Sequence, residues 1–499
     1  MSIAKKLVGQ TAAYGLSSII GRALNYLLVP LYTGVFAPEE YGVVTKLYAI
    51  VAFLNIVYTY GMETAFFRFA NKPGVDRQAL YHKVQTLIIT SSLVLTAAFV
   101  LYASPIAAAL GYTGKEKYII WLAITMAVDA ISAIPFARLR LENKAARFAI
   151  IRLTNIFLVI GGNLFFLLFC RQVYEGKYLQ ELRPLITTIY DPELGVGYIF
   201  LVNMVANLLF IPMLWREFSD FKFKLDLKEM WPMLVYAFPI LVMGIAGATN
   251  EMLSRLMLED WLPPNFYPGV SNEKALGIFG ANYKLAIMMS LMIQAFRYSA
   301  EPFFFSQAQE KNSPATFAMV MRWFVIVCAL AYLGISANLD IFQYFLGQKA
   351  YRTGMEVVPV LLLAYLFNGV YYNLTVWFKL TDRTHYGTYI TIFGAIVTVV
   401  ANFLLIPVLG YMGSAIAAFL CYFTMSVVCY VIGQKYFPVP YPLMAIFGYL
   451  GLATGLIWLA NVVEIDNFWL GNAYHIGLCL VFLAVVWVVE KPKVRGINA

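Results

Sequence analysis

The sequence predicts an all-α polytopic membrane protein of about fourteen transmembrane helices, arranged as two six-helix lobes and a terminal helix pair. Three observations lead there. Of 499 residues, 61% are hydrophobic and only 13% charged, with a mean hydropathy of +0.72, whereas soluble domains hold about 45–50% apolar and about 25% charged residues. Apolar runs near 20 residues, the length that crosses a ~30 Å hydrocarbon core as a helix, recur along the whole chain. The third observation is an internal repeat.

The runs place spans at about 11–36, 42–67, 84–110, 118–138, 148–170, 195–215, 231–258, 276–303, 317–338, 355–378, 386–408, 411–433, 441–462 and 471–489. The N-terminus has the basic start of a signal peptide, but the run that follows is long, carries Arg22 and has no small-residue cleavage site, so it reads as a retained first span. Loops on the N-terminal side hold 22 Lys and Arg and the opposite loops hold 8. The positive-inside bias therefore predicts cytoplasmic termini.

Several classes are excluded. The net charge of +9 is scattered over short loops, not clustered as a nucleic-acid surface. The five cysteines form no CxxC pair, and the three histidines are far apart with no HExxH, so neither a disulfide framework nor a metal site organises the chain. GYTGKE around Gly114 lacks the spacing and hydroxyl of a phosphate-binding loop. There is no DxD acid pair, and no loop is long enough to be a catalytic domain. The chain is read as a non-enzyme without a cofactor, whose function lies in its membrane bundle.

At an offset of 238 residues the segment from Tyr41 aligns with the segment from Phe279, and Gly42, Lys46, Leu47, Tyr60, Glu63, Phe66 and Phe67 fall on Gly280, Lys284, Leu285, Tyr298, Glu301, Phe304 and Phe305. Two charged matches inside apolar spans make spans two and eight equivalent. Six spans per half is an even number, so the halves share an orientation and are related by a pseudo-twofold axis along the membrane normal, with a substrate path between them. The predicted division is 1–227, 228–436 and a terminal pair in 437–499.

An ionisable side chain at mid-bilayer costs roughly 2.5–3.5 kcal/mol on insertion scales, so each one needs a partner, a wet cavity or a ligand. Arg22 lies near the middle of span one, one turn before Asn25 on the same face. With Lys46, Arg255 and Lys284 it is expected to line the outer half of a central cavity with positive charge. Glu251 with Arg255, and Arg297 with Glu301, are spaced i,i+4 and can close on their own helices. Asp129, the only acid near the middle of a span, reads either as a site for a coupling H+ or Na+ or as the partner of Arg22. Glu63 and Glu301 fall at equivalent cytoplasmic span ends, within reach of basic loops such as Arg138 to Arg152, where ion pairs across the lobes would act as a gate.

The segment GRALNYLLVPLYTGVFAPEEYGVVTKLYAIV, Gly21 to Val51, resembles the first hairpin of bacterial polysaccharide flippases of the multidrug/oligosaccharidyl-lipid/polysaccharide exporter superfamily. The resemblance extends to the plan of two six-span lobes and a terminal pair. It implies an inner-membrane flippase that moves undecaprenyl-diphosphate-linked oligosaccharide to the periplasmic leaflet by alternating access. It also implies Arg22 as a cavity cation, with Lys46 and Lys284 as further matches. The implied partners are membrane lipids, the lipid-linked oligosaccharide, a polysaccharide polymerase and glycosyltransferases. A drug or metabolite antiporter, a peptidoglycan-precursor flippase and a nontransporting assembly scaffold are the alternatives. Span one has no acid and the first two spans lack dense charge, which weigh against the first two of these.

Overall fold

The computed structural model describes residues 20–307, 310 and 312–495, and these residues form helices and connecting turns with no strand. Residues 20–26 are helical and lead through Leu27 into α1 (Leu28–Val35). Pro38, whose missing N–H suits a first helical position, opens α2 (Pro38–Thr59), and the Glu40 carboxylate accepts from the Ala37 amide at 3.0 Å. A break at Tyr60 and Gly61 separates α2 from α3 (Met62–Ala70). Asp76 caps α4 (Arg77–Leu101), accepting from the amides of Gln78 and Ala79. There follow α5 (Glu116–Leu141), α6 (Ala145–Asn163), which runs into a π-helical turn over Leu164–Cys170, and α7 (Gly197–Leu208). Beyond them lie α8 (Leu227–Trp261), α9 (Asn272–Gln307), α10 (Ser313–Ala337), α11 (Val357–Leu374), α12 (His385–Leu409) and α13 (Tyr411–Tyr436). The terminal pair is α14 (Leu443–Val462) and α15 (Phe468–Arg495).

Among the described residues twelve helices are long and apolar enough to cross a membrane. The expected fourteen are therefore not established. The first expected span, 11–36, begins outside the described residues, and the sixth is a shorter apolar helix, Gly197–Met213. Large apolar side chains such as Leu480, Trp487 and Val488 on α15 stand 60–63% exposed, as befits helix faces whose solvent is hydrocarbon.

The chain divides into two compact units between Leu256 and Met257. In the first, α5 is central, packed against α4, α7 and α2. Phe136 and Leu139 of α5 join Ile151, Phe210 and Leu214 in one buried cluster. The unit boundary lies a helix beyond the division expected at 227/228 because the first half of α8 packs along α2 and α3. Gly61, at φ +75°, leaves room for that approach, since a Cβ there would come within 2.9 Å of the Ala237 carbonyl oxygen. Arg68 of α3 stacks on Tyr236 of α8, 4.2 Å from the ring centroid.

In the second unit α11 is central, packed against α13, α9 and α10. At the 238-residue offset α4, α5 and α6 fall on α10, α11 and α12. The register then slips, because residues 175–196 lie between the sixth helix and α7, whereas Gly410 alone joins α12 to α13. The terminal pair packs on α10. There Arg322 donates to Glu490 at 3.1 Å, the carboxylate is 4% exposed, and the Tyr449 hydroxyl donates to its other oxygen at 2.7 Å.

Candidate functional site

In the first unit Arg22, Asn25, Glu63, Arg140, Phe148, Arg152 and Asn155 surround a pocket of about 390 Å³. The helical stretch 20–26 contributes Arg22 and Asn25, one turn apart and both exposed to the pocket. From α6 come Arg152 and Asn155, in the same Arg-x-x-Asn spacing, which puts both side chains on one helix face. Arg140, in the last turn of α5, forms an ion pair with Glu63 in the first turn of α3.

Aromatic faces hold the guanidiniums. Arg152 lies 4.1 Å from the Phe136 ring centroid and 5.3 Å from that of Phe210, and Arg140 lies 4.9 Å from Phe67. Such stacking suits Arg, whose planar cation is weakly hydrated. Among the described residues Arg22 makes no ion pair, and the buried Nε of Arg140 has no hydrogen-bond partner. Three guanidiniums thus face one carboxylate, an arrangement that attracts an anion carrying about two charges.

A polar chain leads from the pocket into the unit. The Asn155 amide donates to Asn207 at 3.0 Å, and Asn207 donates to the Asp129 carboxylate at 3.1 Å. Asp129 is therefore held by Asn207, not by Arg22, because α7 presents its amide at the depth of Asp129 while Arg22 faces the pocket.

The other expected residues are distributed differently. Lys46 is 5% exposed, its ammonium 5.8 Å from the Tyr112 ring centroid, and it is not among the residues that line the arginine pocket. Arg255 is 7% exposed on α8, and its guanidinium donates to the Met252 sulfur at 2.9 Å. Lys284 is half-buried on α9, in the second unit. Of the four expected cations, Arg22 is the one that lines the arginine pocket.

Glu301 pairs with Lys379, just beyond α11, and not with Arg297, which lies 4.9 Å from the Tyr372 ring centroid. Glu63 and Glu301 therefore occupy equivalent positions and make equivalent ion pairs, each inside its own unit, which differs from the cross-lobe pairing expected of a gate. Both pairs are partly exposed, so Glu301→Gln is expected to lower stability by no more than ~1 kcal/mol, measured by thermal unfolding in detergent. A loss of several kcal/mol would contradict this.

Sequence reasoning missed Arg140, Arg152 and Asn155 as site residues because Lys and Arg near span ends were counted as loop charges that set orientation. The repeated Arg-x-x-Asn spacing was the available signal.

The fold is shared with flippases and transporters of the multidrug/oligosaccharidyl-lipid/polysaccharide superfamily. The structure titled "Lipid II flippase MurJ, inward closed conformation" aligns over 95% of this chain and 98% of its own, with a TM-score of 0.68 and 13% identity. An inward-facing multidrug resistance MATE family transporter aligns over 85% and 94%, with a TM-score of 0.59 and 12% identity. An outward-facing one aligns over 89% and 96%, at 0.56 and 13%. Residues 35–174 match the family model described as "Polysaccharide biosynthesis protein". No curated protein matches the chain.

Proposed function

We propose that this protein is a flippase of the bacterial inner membrane. It carries undecaprenyl-diphosphate-linked oligosaccharide from the cytoplasmic to the periplasmic leaflet by alternating access, and it holds the diphosphate in the arginine pocket. The observation that carries this reading is the trio Arg22, Arg140 and Arg152 around a pocket large enough for a diphosphate. A diphosphate bridging a lipid and a sugar carries two charges and cannot cross hydrocarbon bare. Guanidiniums replace its hydration with paired, directional hydrogen bonds.

The pocket lies toward the helix ends that the basic loops assign to the cytoplasm, the side on which such a cargo is assembled. The same charge repels cationic drugs, which weighs against a cation-extruding antiporter. The likeness to the lipid II flippase supports a second reading, a peptidoglycan precursor as cargo.

In proteoliposomes the protein is expected to speed the leaflet exchange of a fluorescent prenyl-diphospho-oligosaccharide. Deletion of its gene is expected to remove surface polysaccharide without changing drug resistance. Exchange at the protein-free rate would refute the flippase, and lysis on depletion with surface polysaccharide intact would favour the second reading. The ion pair supplies a sharper check. Glu63→Gln raises the net positive charge of the pocket and Arg140→Gln lowers it, so cargo affinity is expected to shift in opposite directions, by up to about fivefold each. Equal losses in both variants would mean that the pair acts only structurally.

A further inference from the structure

Residues 175–196 fill a connection that in the second half is Gly410 alone. They leave the membrane-length helix that ends at Tyr174 and return at Gly197, so both ends of the segment lie at one face of the bundle. The bias in loop charge assigns that face to the periplasm. Aromatic rings pin the segment at the level of the helix ends. Tyr190 stacks on Tyr198 of α7, ring centroids 5.2 Å apart, and packs 5.7 Å from Tyr174. Tyr198 extends the stack to Phe166 at 4.7 Å, and its hydroxyl accepts from the Asp191 amide at 2.7 Å.

Between these ties a short helix, Arg183–Ile189, buries only Ile186. Tyr178, Leu179, Leu182, Leu185 and Ile189 stand 38–61% exposed. Leu182, Leu185 and Ile189, spaced three and four residues apart, form one stripe. Leu179 is held at φ +42°, a left-handed backbone conformation rare for a bulky residue. The Thr187 and Thr188 hydroxyls donate back to the Pro184 and Leu185 carbonyls at 2.9 and 2.6 Å, so neither needs water. The helix from which the segment springs exposes Phe165 and Leu168 in its last turns, where its solvent is hydrocarbon. The apolar stripe thus prolongs, along the chain, a lipid-facing surface.

We propose that residues 178–189 are a membrane-surface anchor whose partner is the lipid itself. Tyr178, Leu179 and the stripe bed into the boundary between headgroups and acyl chains, the depth at which amphipathic interfacial helices lie. Lys177 and Arg183, both exposed, flank the apolar residues and match lipid phosphates in charge. Tyr174, Tyr190 and Tyr198 supply the aromatic belt of the same interface. The first unit is thereby fixed in depth at that face, whereas the second unit presents only Gly410 at the corresponding turn. The anchor stands apart from the cargo reading and holds for any cargo.

The test places spin labels on the full-length protein in liposomes, through Leu185→Cys, Ile189→Cys and Thr187→Cys, each with Cys479→Ser to remove the one natural thiol that is not buried. Thr187 lies two residues from both Leu185 and Ile189, on the opposite side of the helix. Oxygen, which concentrates in lipid, is expected to reach the labels at positions 185 and 189 severalfold more than a water-soluble nickel chelate does, with the reverse at position 187. Nickel access at all three positions overturns the anchor. Shielding of positions 185 and 189 from both reagents means that protein covers the stripe, and overturns it too. The wild type supplies a reading that needs no variant to fold. A phospholipid with a photoreactive diazirine at the head of its acyl chain is expected to form adducts within residues 178–189, and adducts confined to the spans would refute the proposal.

Discussion

Arg22→Ala is expected to reduce polysaccharide export to background while leaving the amount of protein in the membrane unchanged. Arg22 is exposed to the pocket and, among the described residues, makes no ion pair, so its removal leaves no buried charge without a partner. Stability therefore has little to lose. Binding has more, since one hydrogen bond to a charged group contributes about 1.5–3 kcal/mol, roughly 10-fold to 100-fold in affinity. Arg22→Lys keeps the charge but loses the planar fork that meets two phosphate oxygens together, and is expected to retain part of the activity. Export by Arg22→Ala at the wild-type level would remove Arg22 from the cargo site.

Glu490→Ala is expected to have the largest effect on stability. It strips the partner from Arg322, which is itself mostly buried, and leaves the Tyr449 hydroxyl without its acceptor. Breaking a buried pair on one side costs about 3–5 kcal/mol, because the remaining charge stays desolvated. The loss should appear as a lowered unfolding temperature and as new thiol reactivity of cysteines placed between α14 and α10. Replacing both partners with apolar residues, Arg322→Met with Glu490→Leu, is expected to recover most of the stability. If Glu490→Ala unfolds like the wild type, apolar packing alone holds the terminal pair on α10.

How much was legible in the sequence follows from which forces act locally. Long apolar runs marked the helices because hydrocarbon leaves the backbone no alternative to internal hydrogen bonds. Glu63 and Glu301, aligned by the repeat, each make an ion pair inside their own unit. Arg140, the partner of Glu63, lies in the basic stretch Arg138 to Arg152 that the sequence puts within reach, whereas Lys379, the partner of Glu301, was not legible. An i,i+4 spacing favours Arg297 for Glu301 by only a few tenths of a kcal/mol, less than the stacking on Tyr372 that draws Arg297 away. Lys46 was read as a cavity cation because its position is known along the helix but its neighbour across the unit, Tyr112, is not. The pocket itself joins residues from 22 to 155, a long-range arrangement with no periodic trace beyond the two Arg-x-x-Asn pairs. Tyr60 and Gly61 break α2 from α3, yet the equivalent stretch of α9 is continuous, and nothing in the hydropathy distinguishes the two.

That break makes the two halves mechanically unequal. In the second half Glu301 lies on one unbroken 36-residue helix, so a tilt anywhere along it levers the Glu301–Lys379 tip through an arc. In the first half the joint at Tyr60 and Gly61 works as a universal coupling. The 22-residue rod of α2 can swing while the nine-residue crank of α3, about 14 Å long, stays pinned by Glu63 to Arg140. The pocket lined by Glu63 and Arg140 thus hangs on the short arm of that joint, whereas Glu301 rides at the end of one continuous helix.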